Sequence, residues 1–171
     1  GRVCSGMFKR WCEVSGNLNS YKEDFTLSDI LATLPVYTTT GVSEQRAILK
    51  IKTSDHGELK RKFQPLFEAS WKKNLPIFKK KYGIFSYEAF TTNGIHENGS
   101  LTEFSLSGKG GLKIVFKNTN SQPIAFIWMR GSGTEPVFRV MCDVKGDNKE
   151  LEKLLLEWES RMLIRADNLK E

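Results

Sequence analysis

The chain of 171 residues is long enough to bury the core of one domain, with room for a short additional segment. Hydrophobic residues make up 39% and charged residues 27%, as in soluble globular proteins, and no apolar run of about 18 residues predicts a transmembrane helix or a membrane partner. The net charge of +6 raises the question of nucleic-acid binding. The basic excess is concentrated between Lys50 and Gly83, which we interpret as the solvated face of a helix, the alternative being a positive field that attracts anionic ligands.

The cysteines and histidines indicate neither a disulfide framework nor a metal site. Cys4, Cys12 and Cys142 are odd in number, and their spacing fits no zinc motif. His56 and His96 have no cysteine or histidine close by in sequence. We therefore expect a reduced, cytoplasmic protein in which no residue of this chain binds a metal.

The first 52 residues predict short elements. Val3, Met7 and Trp11 form a stripe at helical spacing, as at the end of a helix whose partners lie upstream. A capping pattern at 26–29 predicts a short helix that ends before Pro35. Residues 36–44 are expected to be extended, and alternation over 47–52 predicts a strand.

The middle of the chain predicts one long helix followed by turns. Residues 55–74 carry an apolar stripe, formed by Leu59, Phe63, Leu66, Phe67 and Trp71. Pro65 is expected to kink or split this helix, and the segment 74–76 is expected to end it. A short strand is predicted over 86–91, then turns over 92–111 with a weak strand at 101–106.

The last third gives the clearest pattern. Alternation predicts strands over 112–117 and 138–144, and the apolar run 123–129 predicts a strand covered on both faces. Asp147 is expected to cap a closing helix, with Glu150 at the capping-box offset. The buried stripe of that helix is Leu151, Leu154, Leu155, Trp158 and Met162. Because the strands are joined by short turns, we expect an α+β domain with an antiparallel sheet of about four strands flanked by two helices.

A loop at residues 130–136 separates two of these strands and has the composition of an anion site. Gly131 and Gly133 are expected to adopt positive φ and expose backbone N–H groups, which together can form a concave site. Ser132 and Thr134 add hydroxyl donors. Loops of this composition are more often simple turns, so composition leaves both interpretations open.

Two arginines flank this loop. Arg130 offers a planar guanidinium that can bind two phosphate oxygens at once. Arg139, on the next strand, is either a second cation directed at the loop or a solvated residue on the polar face of its strand.

The order Arg130, Ser132-Gly133-Thr134-Glu135-Pro136 and Arg139 resembles the phosphate-binding loop of the α-D-phosphohexomutase family, which includes phosphoglucomutase and phosphomannomutase. The segment from Leu27 to Tyr37 is similar to the junction between the third and fourth domains of that family. The resemblance implies that residues 1–36 are a remnant of the third domain with its linker. Residues 37–171 would be the C-terminal domain, of a type similar to the TATA-binding protein.

The resemblance also implies an activity. Enzymes of this family are isomerases that move a phosphoryl group between positions of a hexose phosphate through a phosphoserine, assisted by Mg²⁺ that the second domain holds. The fourth domain grips the phosphate that is not being transferred. By position, the phosphate contacts would be Arg130, Ser132, Gly133, Thr134 and Arg139. The partners would be a phosphosugar and the upstream domains.

The other motifs of the family are missing from this sequence. It has no catalytic serine motif, no Asp-rich metal loop and no sugar-selecting loop. We therefore expect the fragment to bind phosphate without being active alone. The alternatives are a basic nucleic-acid-binding module, which the clustering of basic residues around one helix disfavours, and a non-catalytic interaction domain that kept the fold.

Overall fold

The computed structural model describes residues 27–41, 43–94, 96–133, 135 and 137–169, together with Ser5, Gly6, Phe8, Lys9 and Cys12. The described residues fall into two compact units, one up to Val36 and one from Tyr37 onward. In the first unit, helix α1 spans Leu27–Ala32, and the amide of Leu34 donates to the carbonyl of Leu31 at 3.1 Å. The predicted stripe of Val3, Met7 and Trp11 lies outside the described residues.

Within the described residues, the second unit is built on one antiparallel sheet of seven strands. The strands are β1 (Tyr37–Thr39), β2 (Ile48–Lys50), β3 (Ser86–Asn93), β4 (His96–Gly99), β5 (Gly111–Lys117), β6 (Pro123–Gly131) and β7 (Val137–Lys145). They are ordered β1-β7-β6-β5-β3-β4, and β2 also pairs with β7. The expectation of an antiparallel sheet is confirmed, but a count of about four strands is wrong. The additional strands β1, β2 and β4 have only three or four residues, too few to produce an alternation signal.

Two long helices, α2 (His56–Ile77) and α3 (Lys149–Asp167), contribute to one hydrophobic core with the sheet. Alternate residues of the central strands are buried in this core, including Ile127 and Met129 of β6 and Val140 of β7. The other residues of these strands lie on the opposite face of the sheet, which we call the open face. The two flanking helices agree with the α+β class.

Helix α2 is longer and more regular than its sequence predicts. Asp55 caps it by accepting hydrogen bonds from the amides of Gly57 and Glu58. Pro65 lies on the exposed side of the helix, and the expectation that it splits the helix is wrong, because α2 runs through it without a break. The predicted end at 74–76 is wrong: the helix continues through Pro76 into a wider turn that ends at Gly83, whose φ is 65°.

The segment after α2 differs from its predicted strands. Strand β3 runs to Asn93 and pairs with the short strand β4, which the sequence did not predict. Instead of a strand at 101–106, a 3₁₀ turn spans Phe104–Ser107. The ring of Phe104 is buried 5.6 Å from that of Phe67, so packing against α2 determines this conformation. None of the helices in the described ranges is long and apolar enough to cross a membrane.

Candidate functional site

The two arginines that flank the loop are direct neighbours across the sheet. Arg130 is the second-last residue of β6, and its Cα partner on β7 is Arg139. Both belong to the open face, because their neighbours Met129 and Val140 point into the core. Arg130 is exposed and Arg139 is half-buried. Two guanidinium groups on directly opposite residues are close enough to bind the same anion.

The loop between β6 and β7 is partly closed by its own hydrogen bonds. The amide of Ser132 donates to the carbonyl of Val137 at 2.9 Å, and the amide of Val137 donates to the carbonyl of Glu135 at 2.8 Å. The hydroxyl of Ser132 accepts from the amide of Glu135 at 3.3 Å. These three amides are therefore occupied within the loop. Thr134 and Pro136 lie outside the described residues.

The glycines of the loop serve a different purpose from the one expected. The expectation of positive φ at Gly131 and Gly133 is wrong, because neither residue is among the glycines of the described chain that have positive φ. Gly131 is buried, and a Cβ built on it would lie 2.0–2.3 Å from atoms of the His56 imidazole. Position 131 requires glycine because the His56 ring lies against its Cα. Gly133, in contrast, is exposed and has open space around it.

The N-terminus of α2 therefore lies against the strand end that carries Arg130. His56 is the first residue of α2, and its ring meets that of Phe138 edge-on at 5.6 Å. Burial and the charge of Lys60 lower the pKa of His56, so its imidazole is neutral at neutral pH. The first turn of a helix carries partial positive charge, which adds to the field around the loop.

A buried lysine lies one helical turn further along α2. The side chain of Lys60 is fully buried, and its ammonium donates to the carbonyls of Gly108 and Gly110 at 2.9 and 2.6 Å. Burial lowers the pKa of Lys60 to about 8, and the charge of Arg130 adds to this effect. Lys60 thus fastens the turn that precedes β5 to α2 and contributes positive potential near Arg130.

Sequence reasoning missed His56 and Lys60. Their signal was present: both fall on the apolar stripe of α2, at the spacing of Leu59, Phe63 and Phe67. A basic residue on a buried stripe is expected to have a specific partner. What the sequence could not supply is the identity of those partners, Gly131 for His56 and the 108–110 turn for Lys60.

Arg130 and Arg139 can bind and orient an anion on the open face, while His56 and Lys60 lie on the core side of the same strand end. Among the described residues, no group of three or more His, Cys, Asp or Glu side chains is placed to hold a metal ion. Cys142 is buried, and burial raises the pKa of its thiol, so it is not a poised nucleophile. No protein-family model and no curated protein matches the chain.

Proposed function

We propose that this chain is the C-terminal phosphate-binding portion of a phosphohexomutase, which grips the non-transferred phosphate of a hexose phosphate. The observation that carries the proposal is the cross-strand pairing of Arg130 with Arg139 at the mouth of the 132–136 loop. A phosphate dianion placed there would bridge two guanidinium groups. Ser132 and Gly133 follow Arg130 closely in the sequence, and together with Thr134 they complete the proposed set of phosphate contacts.

The surroundings of the arginines support an anionic ligand. Lys60 and the N-terminus of α2 lie on the other side of the Arg130 strand end, so the local potential is positive from two directions. Asp55, the acidic residue next to His56 in the sequence, is engaged as the cap of α2. The hydrogen bonds that it accepts from the amides of Glu58 and Gly57 lower the pKa of its carboxyl group.

In this proposal the chain contributes orientation and the upstream domains contribute chemistry. A bound and oriented phosphate turns the reacting end of the sugar into a near-intramolecular partner of the phosphoserine, and orientation of this kind can lower a barrier by several kcal/mol. Mg²⁺ belongs to the upstream domains and supplies charge stabilisation to the transferred phosphoryl group. The residues described here hold the other phosphate.

Phosphate binding to the chain itself tests the proposal. The sequence contains only two histidines, His56 and His96, so the ring protons of each can be followed separately by NMR as inorganic phosphate is added. We expect His56, which touches Gly131, to shift and to titrate at higher pH, while His96 on β4 stays unchanged. Arg130→Ala should weaken phosphate binding at least tenfold, because charge-assisted hydrogen bonds each contribute about 1.5–3 kcal/mol.

Arg165→Ala is the matched control, since it removes one exposed arginine from the last turn of α3, which packs on the core side of the sheet rather than on the open face. It should leave phosphate affinity unchanged. Equal losses in both variants would indicate a diffuse charge effect and would contradict the proposal. In the longer enzyme, Arg130→Ala should raise KM strongly and lower kcat; an unchanged kcat/KM would exclude the assignment.

Nucleic-acid binding is the second candidate, favoured by the aromatic residues Phe90, Phe126 and Trp128 on the open face. Sheets with exposed aromatic rings bind single-stranded RNA. Two lysines of that face are engaged, however: Lys113 pairs with Glu97, and Lys117 pairs with Glu88. A single-stranded oligonucleotide that binds with steep salt dependence would favour this candidate, and weak binding with a shallow dependence would favour phosphate gripping.

A non-catalytic interaction domain is the third candidate, and no feature of the described residues favours it. The upstream sequence of the parent protein distinguishes this candidate from the phosphohexomutase. A catalytic serine motif and an Asp-rich metal loop upstream would favour the mutase, and their absence would favour the interaction domain.

A further inference from the structure

A tryptophan lies two residues before Arg130 on the same face of β6. Trp128 and Arg130 both belong to the open face, and two strand residues span roughly 7 Å. The indole of Trp128 reaches across the neighbouring strand β5, because a Cβ built on Gly111 would lie 2.5 Å from its Nε1 and 2.8 Å from its Cε2. The indole N–H donates to the hydroxyl of Thr92 at 2.8 Å, which fixes the ring in this position.

Gly111 is the reason that the ring can lie so close to the sheet. Any side chain there would collide with the indole and with the Thr92 hydroxyl, whose oxygen would be 2.2 Å from the Cβ. One side of the indole therefore lies against the backbone of β5. Trp128 is only half-buried, so its other side remains accessible from the open face.

A cavity of about 280 Å³ lies next to this ring and continues to Arg130. Glu97 and Lys113 also line it, and their side chains form an ion pair at 2.5 Å. Pockets for drug-sized ligands have volumes of about 300–1,000 Å³, so this cavity is at the small end of the range. A single sugar ring is small enough to lie in it.

The ring of Phe126, the second aromatic residue of the cavity, already has a cation over it. The ammonium of Lys113 lies 4.5 Å from the centroid of the Phe126 ring, at the distance of a cation–π contact. Trp128 has no cation over its ring among the contacts of the described residues. The accessible aromatic surface beside Arg130 is therefore that of Trp128.

We propose that Trp128 is a stacking platform for the hexose ring of a sugar phosphate whose phosphate group is bound by Arg130. The inference rests on the proposed function and extends it, because it adds a contact to the sugar rather than to the phosphate. The C–H groups on one face of a pyranose carry slight positive charge and pack against the negative face of an aromatic ring. Glu97 can accept and Lys113 can donate hydrogen bonds to hydroxyl groups at the ring edge.

Affinities for glucose 6-phosphate and for inorganic phosphate, measured by NMR titration of the 171-residue chain, test this platform. We expect the wild type to bind glucose 6-phosphate about fivefold more tightly than inorganic phosphate. Trp128→Leu should abolish this preference and leave the affinity for inorganic phosphate unchanged. Phe90→Leu, which removes an aromatic ring from the open face outside this cavity, is the matched control and should retain the preference.

The two proposals fail in different ways. If the wild type binds both ligands equally, or if Trp128→Leu keeps the preference, the platform is wrong while phosphate binding stands. If neither ligand binds, the proposed function fails and the platform with it. Should Trp128→Leu fail to fold, Thr92→Val keeps the ring but removes the hydrogen bond that fixes it, and it should reduce the preference.

The third probe is adenosine 5′-monophosphate, because a nucleobase also stacks on tryptophan. In this proposal it should bind less tightly than glucose 6-phosphate, since a nucleobase lacks the hydroxyl groups that Glu97 and Lys113 would bind at the edge of a hexose ring. A Trp128-dependent preference for this nucleotide over glucose 6-phosphate would overturn the assignment of the platform to a sugar.

Discussion

The imidazole of His56 fills the space that a side chain at Gly131 would need. A Cβ on Gly131 would lie 2.0 Å from Cε1 and 2.2 Å from Nδ1 of that ring. The ring is held between this strand end and Phe138. The N-terminus of α2 and the strand end that carries Arg130 are therefore fixed relative to each other by a contact that only glycine permits.

Gly131→Ala should destabilise the protein by about 1–3 kcal/mol, because the added methyl group overpacks a buried contact. It should also weaken phosphate binding, since His56 and the strand end must move apart. Urea denaturation measures the first effect and NMR titration with phosphate the second. Gly133→Ala is the control: a Cβ there has open space, and stability should change by less than about 0.5 kcal/mol.

His56→Ala in the Gly131→Ala background tests whether the imidazole is the obstacle. Removal of the ring should make the methyl group at position 131 nearly harmless, so the two substitutions should be strongly non-additive. Additive effects in this double-mutant cycle would mean that Gly131 is required for a reason other than His56.

Lys60 should give the protein a distinctive pH dependence. Burial, together with the charge of Arg130, lowers its pKa from 10.5 to about 8, so the native state loses this proton at a lower pH than the unfolded state. Between pH 8 and 10.5 the unfolded state binds more protons, and stability therefore rises with pH relative to Lys60→Met, by at most about 3 kcal/mol. Below pH 8 the difference between the two proteins should be constant.

Urea denaturation of the wild type and of Lys60→Met at several pH values between 7 and 10 measures this difference. Lys72→Met, which removes an exposed lysine from the same helix, serves as the control and should differ from the wild type by a constant amount. A Lys60→Met difference that stays flat up to pH 10 would show that the carbonyls of Gly108 and Gly110 retain the proton on Lys60.

The central strands and the two long helices could be predicted from sequence because each carries a repeated signal over seven or more residues. Alternation in β5 and β7 fixed which residues face the core, and the hairpin between β6 and β7 then places Arg130 opposite Arg139. The short edge strands could not be predicted. Tyr37 pairs with Lys145, a partner more than a hundred positions away, and three residues carry no periodicity of their own.

The same reason explains what was missed at the candidate site. The loop motif points to its own arginines, but the roles of His56 and Lys60 depend on contacts with residues 131, 108 and 110. Local patterns contain no information about such contacts. They show only that two basic residues occupy a buried stripe, which is the place where tertiary structure must provide partners.

The cap of α3 is one residue later than its sequence predicts. Asn148, rather than Asp147, is the cap, and its side chain accepts a hydrogen bond from the amide of Leu151 at 3.0 Å. Asn148→Ala should therefore cost about 1 kcal/mol of stability in urea denaturation, the usual effect of removing a cap. Asp147→Ala should cost clearly less. A larger loss of stability for Asp147→Ala than for Asn148→Ala would instead support the predicted capping box of Asp147 and Glu150.

Glu159 of α3 is a buried carboxyl group without a hydrogen-bond partner among the described residues. Burial raises its pKa well above the usual value of 4.5, so it is protonated where an unfolded chain has already lost the proton. Its contribution to stability is greatest below pH 4.5 and declines as the pH rises. Glu159→Met should therefore stabilise the protein at pH 8, by about 1–3 kcal/mol, and less at pH 4.5.

Glu157→Met is the control for this last prediction, because Glu157 is exposed on the same helix and forms a long ion pair with Lys153 at 3.9 Å. Urea denaturation of the three proteins at pH 4.5, 6 and 8 should give a growing advantage for Glu159→Met alone. If Glu159→Met instead destabilises the protein equally at all three pH values, the carboxyl has a polar partner in solution. The native state would then depend on that contact, and the buried carboxyl would be a structural requirement rather than a cost to stability.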